Sequence, residues 1–343
     1  MDMKKSVFDR VSLRNLQLCN RLVRSATWEA LATADGSIGE QTYRIYRELA
    51  DGGVGLIITG FTSVDVNDVY FEGMMRLADD ALVPQYRRLT DEVHAHGGQI
   101  ITQLALGGYY LSDGKMLCER QVDDMTVADV KRVVEMFRRA ALRAVHAGFD
   151  GVQIHVAHFF FLSRFVSSLF NHRNDEYGGT LEKRARIVVE IIQSIREAAP
   201  GLHISLKLNG SDFTPGGNTP SDAVLLSQLC AQAGADSIEV SGNGTSASGI
   251  KAHRNEAYFL PIAEAVAAAT DVPVMLVGGL RSVDTMDTIL NETHIQLLSL
   301  SRPLVREVNL PNVWKQDAGY LPKCVSCNGC YRSQGHRCVF ERH

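Results

Sequence analysis

The sequence predicts an α/β protein, a (β/α)8 TIM barrel with an N-terminal hairpin cap and a short Cys-rich C-terminal tail, on three observations. Eight short apolar runs recur along the chain, with helical patterning between most of them. Four of these runs have closely similar lead-ins, Leu49-Ala-Asp-Gly-Gly, His94-Ala-His-Gly-Gly, His146-Ala-Gly-Phe-Asp and Gln232-Ala-Gly-Ala-Asp, each a helix ending in glycine that feeds a strand. No G-x-G-x-x-G follows the first run, which disfavours the runner-up, an open doubly wound sheet. Repeated over about 300 residues, a helix feeding a parallel strand closes into a barrel, because right-handed crossovers put the helices outside.

Taken in order, Val7 to Leu18 alternates apolar and polar residues and predicts a short hairpin closing the bottom of the barrel. Strands are expected at Arg21 to Ala26, Val54 to Gly60, Gln99 to Leu104, Gly151 to His155, His203 to Leu208, Ser237 to Ser241, Val272 to Gly278 and Ile295 to Leu300. Ser112 to Met125 is polar and irregular and predicts a loop. With 343 residues and 45% hydrophobic content, the chain can bury a large core in one barrel, expected over residues 1–320, with the tail over 321–343.

Charge narrows the partners. Lys plus Arg number 35 against 39 Asp plus Glu, a balance of -4 without the basic footprint of nucleic-acid binders. The N-terminus lacks the apolar core of a signal peptide, and no apolar run reaches the roughly 18 to 20 residues that span a bilayer. No membrane partner is expected, and the expected location is the cytoplasm. Of seven cysteines, Cys19, Cys118 and Cys230 are scattered singly, while Cys324, Cys327, Cys330 and Cys338 crowd together, a pattern of metal or redox chemistry rather than of a secreted disulfide framework.

Barrel enzymes keep their chemistry at the C-terminal ends of the strands, so those ends are the candidate site. They collect Ser25, Ala26, Thr27, Gly60, Gln103, His155, His158, Lys207, Gly278, Gly279, Ser301 and Arg302. Two imidazoles three residues apart can donate to a single oxygen or anion and polarise a carbonyl. Gly278-Gly279 after the seventh strand and Ser301-Arg302 after the eighth supply bare backbone, a hydroxyl and a guanidinium at the usual barrel phosphate position. Gln103 offers paired donor and acceptor groups to an amide-like ring edge. Lys207 puts a positive charge deep in the mouth; Ile204-Ser-Leu-Lys-Leu contains no local carboxylate, so a lysine satisfied by a barrel carboxylate is the less favoured reading.

Together these residues resemble the old yellow enzyme family of FMN-dependent ene-reductases, across roughly residues 6 to 315. Asn20-Arg-Leu-Val-Arg-Ser-Ala is similar to that family's first strand, Thr102-Gln-Leu to its third, Asn171 to Arg186 to its signature and Ser299-Leu-Ser-Arg-Pro-Leu304 to its phosphate segment. The resemblance implies that FMN is bound by Ser25, Ala26, Thr27, Gly60, Gln103, Lys207, Gly278, Gly279, Ser301 and Arg302. His155 and His158 then hold the oxygen of a substrate stacked on the flavin, which NAD(P)H reduces and which passes hydride to an electron-poor double bond. The implied partners are small molecules, and a second copy of the chain or an electron-transfer partner is compatible with them.

Departures from the family pattern bear on the reaction. Where members commonly read H-x-A-H-G-Y, this chain reads His155-Val-Ala-His158-Phe159-Phe160, so Phe160 stands where a tyrosine usually protonates the alkene. Gln103-Leu-Ala-Leu106-Gly-Gly108 lacks a histidine and an arginine of the usual segment, which predicts a more apolar pocket. Trp28 stands where relatives place a Cys or Thr, and Lys207 where many have Arg. Trp28, Phe160 and Tyr109 are the expected pocket lining. Gly249-Ile-Lys-Ala-His253 aligns with the segment where dienoyl-CoA reductases keep a second catalytic histidine, so His253 is a candidate proton donor, with Tyr109, Tyr110 and Tyr258 as competitors.

The tail Cys324-Val-Ser-Cys327-Asn-Gly-Cys330 with Cys338 resembles the [4Fe-4S] segment of the 2,4-dienoyl-CoA reductase branch, at tighter spacing, and the FAD-binding extension of that branch is not expected here. Four thiolates can hold an Fe-S cluster or a tetrahedral zinc, and free thiols are the third reading. The expected function is FMN-dependent reduction of an activated C=C bond of an enone- or enoate-type compound by NAD(P)H. The alternatives are a quinone or nitro reductase, whose acceptor needs no protein acid, and a flavin-based electron-transfer module using the tail.

Overall fold

The computed structural model describes residues 4–68, 70–108, 122–243 and 246–341. The chain enters through an antiparallel hairpin, β1 (Val11–Leu13) and β2 (Leu16–Leu18). Its period-2 pattern puts Leu13, Leu16 and Leu18 on one face, and they pack in a single apolar cluster with Val23, Leu56, Ile58, Ile101, Met275 and Leu297. These partners come from five barrel strands, so the hairpin plugs the barrel's N-terminal end.

The strands that follow are β3 (Leu22–Arg24), β4 (Leu56–Ser63), β5 (Met75–Arg76), β6 (Ile100–Ala105), β7 (Gly151–Val156), β8 (His203–Asn209), β9 (Ser237–Ser241), β10 (Val274–Val277) and β11 (Leu297–Leu300). Their order is β3-β11-β10-β9-β8-β7-β6-β4, all parallel, and pairing of β3 with β4 closes eight strands into a barrel. All eight expected strands are present. β5, a two-residue extension on β4, was not anticipated, being too short to carry a periodic pattern.

Helices α1 (Glu40–Asp51), α2 (Val83–Ala95), α3 (Val127–His146), α4 (Phe161–Val166), α5 (Leu181–Ala198), α6 (Pro220–Ala233), α7 (Leu260–Ala269) and α8 (Val283–Glu292) alternate with the strands, and α9 (Arg302–Arg306) and α10 (Leu310–Gln316) follow β11. Local chemistry sets their ends: Thr126 with Asp129, and Thr219 with Asp222, form capping boxes at α3 and α6, and Gly234 closes α6 in the left-handed region. None of the described helices is long and apolar enough to cross a membrane.

Strand side chains alternate between two environments. Val152, Ile154, Ile204, Leu206, Ile238, Val240 and Leu298 join the helices in the main core. Their neighbours Gln153, Ser205, Lys207, Glu239 and Ser299 are equally buried but polar. Under the hairpin the interior is apolar on the side of β3, β4, β6, β10 and β11, whereas on β8 the buried His203 reaches Arg14 O at 2.7 Å; Gln153, Lys207 and Glu239 gather nearer the strands' C-terminal ends. After α10, residues 317–341 contain only two 3-10 turns, Gly329–Arg332 and Gln334–His336.

Candidate active site

Closing the barrel brings the polar interior into one connected network. The β8–β9 register places Lys207 beside Glu239, and the two pair at 3.0 Å with both side chains buried. Lys207 Nζ also donates to Ser25 Oγ at 2.8 Å, Ser25 Oγ to Glu239 Oε1 at 2.7 Å, Gln153 Nε2 to Glu239 Oε2 at 3.0 Å, and Gln103 Nε2 to Gln153 Oε1 at 2.7 Å. Lys207 therefore has a barrel carboxylate as its partner after all, which corrects the expectation drawn from its local sequence: the carboxylate comes from the next strand, 32 residues away. Burial acts to raise the Glu239 carboxyl, but Lys207 and the hydrogen bonds outweigh it and hold the group below its ordinary value. Glu239 and Gln153 are site residues that no local motif announces.

His155 lies opposite Lys207 in the β7–β8 register, and its ring is 5.2 Å from that of His158. Both are held neutral. Burial, with Lys207 adding to it, lowers His155 to about 3, and burial, with His155 and Lys207, takes His158 well below its usual value. His155 Nδ1 is buried without a partner, the kind of orphaned group that a ligand oxygen satisfies. His158 adopts φ +60°, a costly conformation for a side-chain-bearing residue, and is kept there by its N–H donating to Asn209 Oδ1 at 3.0 Å and by Ser241 Oγ at 2.9 Å from Nε2.

Beside the histidines, the rings of Trp28, Phe61, Phe71 and Phe160 form an aromatic wall. Phe160 stands 4.6 Å from His155 and 5.4 Å from Phe61, and Trp28 stands 4.7 Å from Phe71. Tyr109 and Tyr110 lie outside the described residues.

A cavity is lined by Ser25, Ala26, His158, Lys207, Gly278, Gly279, Ser301 and Arg302 among others. Gly278 and Gly279 take φ +129° and +84°, and a Cβ at Gly279 would come within 2.8 Å of the Tyr258 ring, so backbone conformation and packing both require glycine where these residues line the cavity. Arg281, missed from sequence, is buried and lines the same cavity as Arg302. Burial lowers its pKa, Cys324 opposes the shift, and the like charge of Arg302 adds to it. Two buried guanidinium groups facing one cavity call for an anion between them, and a phosphate fits that demand.

Thr27 and Gly60 sit at the edge of the mouth. Thr27 Oγ1 lies 2.8 Å from Ser301 Oγ and accepts from Arg24. Gly60 lets the Thr27–Glu29 backbone approach closely, since a Cβ there would meet Thr27 O at 2.8 Å and Glu29 Oε2 at 2.6 Å. Burial pushes the Glu29 carboxyl up to about 7, with the partner Arg24 opposing.

Asn171 to Arg186 fastens the loops around the site. Asn171 Nδ2 donates to Phe165 O at 2.7 Å and Tyr177 O at 2.9 Å, and Arg184 Nε to Val166 O at 2.8 Å. The structure does not bring His253 to the cavity: its side chain is half exposed and faces Asp284 at 3.6 Å, because the loop after β9 turns it outward beside α8. Cys324, Cys327, Cys330 and Cys338 line one small cavity that Arg302 also borders. Among the described residues, however, no three His, Cys, Asp or Glu side chains are grouped as metal ligands.

Residues 6–318 match the NADH:flavin oxidoreductase / NADH oxidase family. The chain belongs to that family. It is 31% identical over 94% of its length to a metal reductase of Desulforamulus reducens, of which it covers 51%, and 30% identical over 92% of its length to an NADPH dehydrogenase of a Geobacillus species, of which it covers 96%. The chain thus spans about half the length of some curated relatives it matches and nearly the whole of others. Its fold is similar to that of the old yellow enzyme homologue of Zymomonas mobilis, with a TM-score of 0.76 at 19% identity over 94% of this chain and 99% of that one. Flavin oxidoreductases of this family use FMN and NAD(P)H.

Proposed function

We propose that this chain binds FMN at the barrel mouth and reduces an activated C=C bond of a small carbonyl compound at the expense of NAD(P)H. One observation carries the reading: two neutral imidazoles, one with an orphaned nitrogen, stand between an aromatic wall and a two-arginine cradle. Ser25, Ala26, Thr27, Gly60, Gln103, Lys207, Gly278, Gly279, Ser301 and Arg302 would hold FMN, together with Arg281, which lines the same cavity as Arg302. FMN bound there supplies hydride to an electron-poor double bond once NAD(P)H has reduced it.

His155 and His158 bind the substrate carbonyl oxygen and stabilise the charge that grows on it. Trp28, Phe61, Phe71 and Phe160 exclude water and favour a flat, conjugated substrate. Phe160 cannot donate a proton and His253 faces away, which favours solvent over either of them as the proton source. Accordingly His253→Ala is expected to leave enone reduction unchanged, and Phe160→Tyr to raise it about tenfold or more, the scale of general acid catalysis, in anaerobic turnover with NADH and NADPH. A tenfold fall in His253→Ala would restore that histidine as the donor.

Arg302→Ala is expected to weaken FMN binding by about tenfold to a hundredfold, the loss of one charge-assisted contact. A colourless protein that cannot be reconstituted with FMN would overturn the proposal.

A second reading, acceptor reduction with electrons routed through the tail, is favoured by the convergence of the four cysteines on one cavity. An Fe-S cluster or zinc there requires the sulfurs to close into a ligand set. Metal analysis of anaerobically purified protein should find iron or zinc near one site per chain. Near-zero values for both, with unchanged stability of Cys327→Ser, would leave four ordinary thiols.

A further inference from the structure

The tail residues between the cysteines reach the cradle's two arginines. Asn328 Oδ1 accepts from Arg302 Nη1 at 2.5 Å, while its Nδ2 donates to Ser246 O at 2.6 Å. Ser326 Oγ accepts from Arg281 Nη2 at 2.7 Å, and its carbonyl accepts from the Gly249 N–H at 3.2 Å. Both residues take positive φ, +55° at Ser326 and +59° at Asn328, which costs free energy for any residue with a Cβ. Ser326 is 1% exposed, and neither residue lines the cradle itself.

An arginine head on its long flexible stem must be ordered before it can make a directed contact, and ordering it in advance removes that entropic cost from binding. We propose that Ser326 and Asn328 are positioning residues that pre-set Arg281 and Arg302 for a phosphate monoester. The Cys-rich tail then belongs to the cofactor site, with Ser326 and Asn328 acting through the arginines from outside the cavity. This rests on the reading that the cradle takes the FMN phosphate. Arg302 Nη1 is fixed from two sides, by Asn328 and by Ala247 O at 2.8 Å. Ser246, whose carbonyl Asn328 holds, lines the cradle together with Tyr331, and their hydroxyls lie 2.6 Å apart. The tail and the loop after β9 thus close on the arginines together.

The test uses Ser326→Gly and Asn328→Gly, because glycine keeps the positive φ without strain and removes only the side chain. Dissociation constants of FMN and of riboflavin, which lacks the phosphate, are measured by flavin fluorescence quenching on the stripped full-length protein. Wild type should prefer FMN over riboflavin. Each variant should lose about fivefold to tenfold in FMN affinity with riboflavin affinity unchanged, and the double variant should lose more than either. Three results would overturn the proposal: unchanged FMN affinity, tighter FMN binding, or an equal loss for both flavins, which marks a merely structural role. A wild type that binds both flavins equally would instead refute the phosphate reading of the cradle.

Discussion

Replacing His155 and His158 together by alanine is expected to slow enone reduction by about 10²- to 10³-fold or more, since loss of even one donor to a developing oxyanion has that effect. The rings stand 5.2 Å apart at the end of β7, and burial keeps both neutral, so they act as fixed hydrogen-bond donors rather than as acids. Two consequences follow from the neutral state. The rate should show no step near pH 6.5 from these groups, because His155 titrates only near pH 3 and His158 is displaced in the same direction. Stability should also fall as pH drops below about 6.5, the range in which the unfolded chain takes up protons that the folded chain refuses. Anaerobic stopped-flow measurement of flavin reoxidation by an enone reads the first effect. A double variant that reoxidises at the wild-type rate would remove the pair from the reaction.

Glu239→Ala is expected to cost about 3 to 5 kcal/mol of stability, because it strands the Lys207 ammonium in the barrel interior and deprives Ser25 and Gln153 of their acceptor. The Glu239 carboxyl is fully buried and its pKa is depressed, so the stability it contributes is present above the unfolded carboxylate value of about 4.3 and is lost as pH falls through the folded value. Denaturant titration of Glu239→Ala, Lys207→Met and the double variant measures the coupling. The double variant should be more stable than Glu239→Ala alone, since it removes the orphaned charge along with its partner. Simple additivity of the two losses would show that the pair is not a unit.

The signals that could be read along the chain were local ones. Glycine-ended lead-ins and apolar runs located all eight barrel strands, and the alternation in Val7 to Leu18 located the hairpin, which the structure confines to Val11–Leu18. Gly278 and Gly279 could be read as an open cradle because they combine with Ser301-Arg302 at the two strand ends where barrels usually bind phosphate, and the structure shows the positive φ of both glycines. Phe160 could be read as a missing acid from its position after His158. The sequence was less informative wherever function depends on pairing between strands. Lys207 has no carboxylate within its own strand, and its partner Glu239 is supplied by register. Arg281 follows Leu280 without any motif to single it out, yet burial beside Arg302 places it in the cradle. His253 fits a catalytic alignment, but the loop that carries it turns outward toward Asp284.

The sequence by itself determined the repeating βα architecture and the order in which candidate imidazoles and glycine turns follow the strands. These follow from backbone preference and periodicity, which act over a few residues. Only the tertiary structure decided which charges meet, that both histidines are neutral, that four aromatic rings wall the mouth, and that the cysteine tail holds the arginines. Those outcomes depend on barrel closure, which sets residues as distant in the chain as Ser25 and Glu239 within hydrogen-bonding distance, and on desolvation, which exists only once the interior is sealed from water.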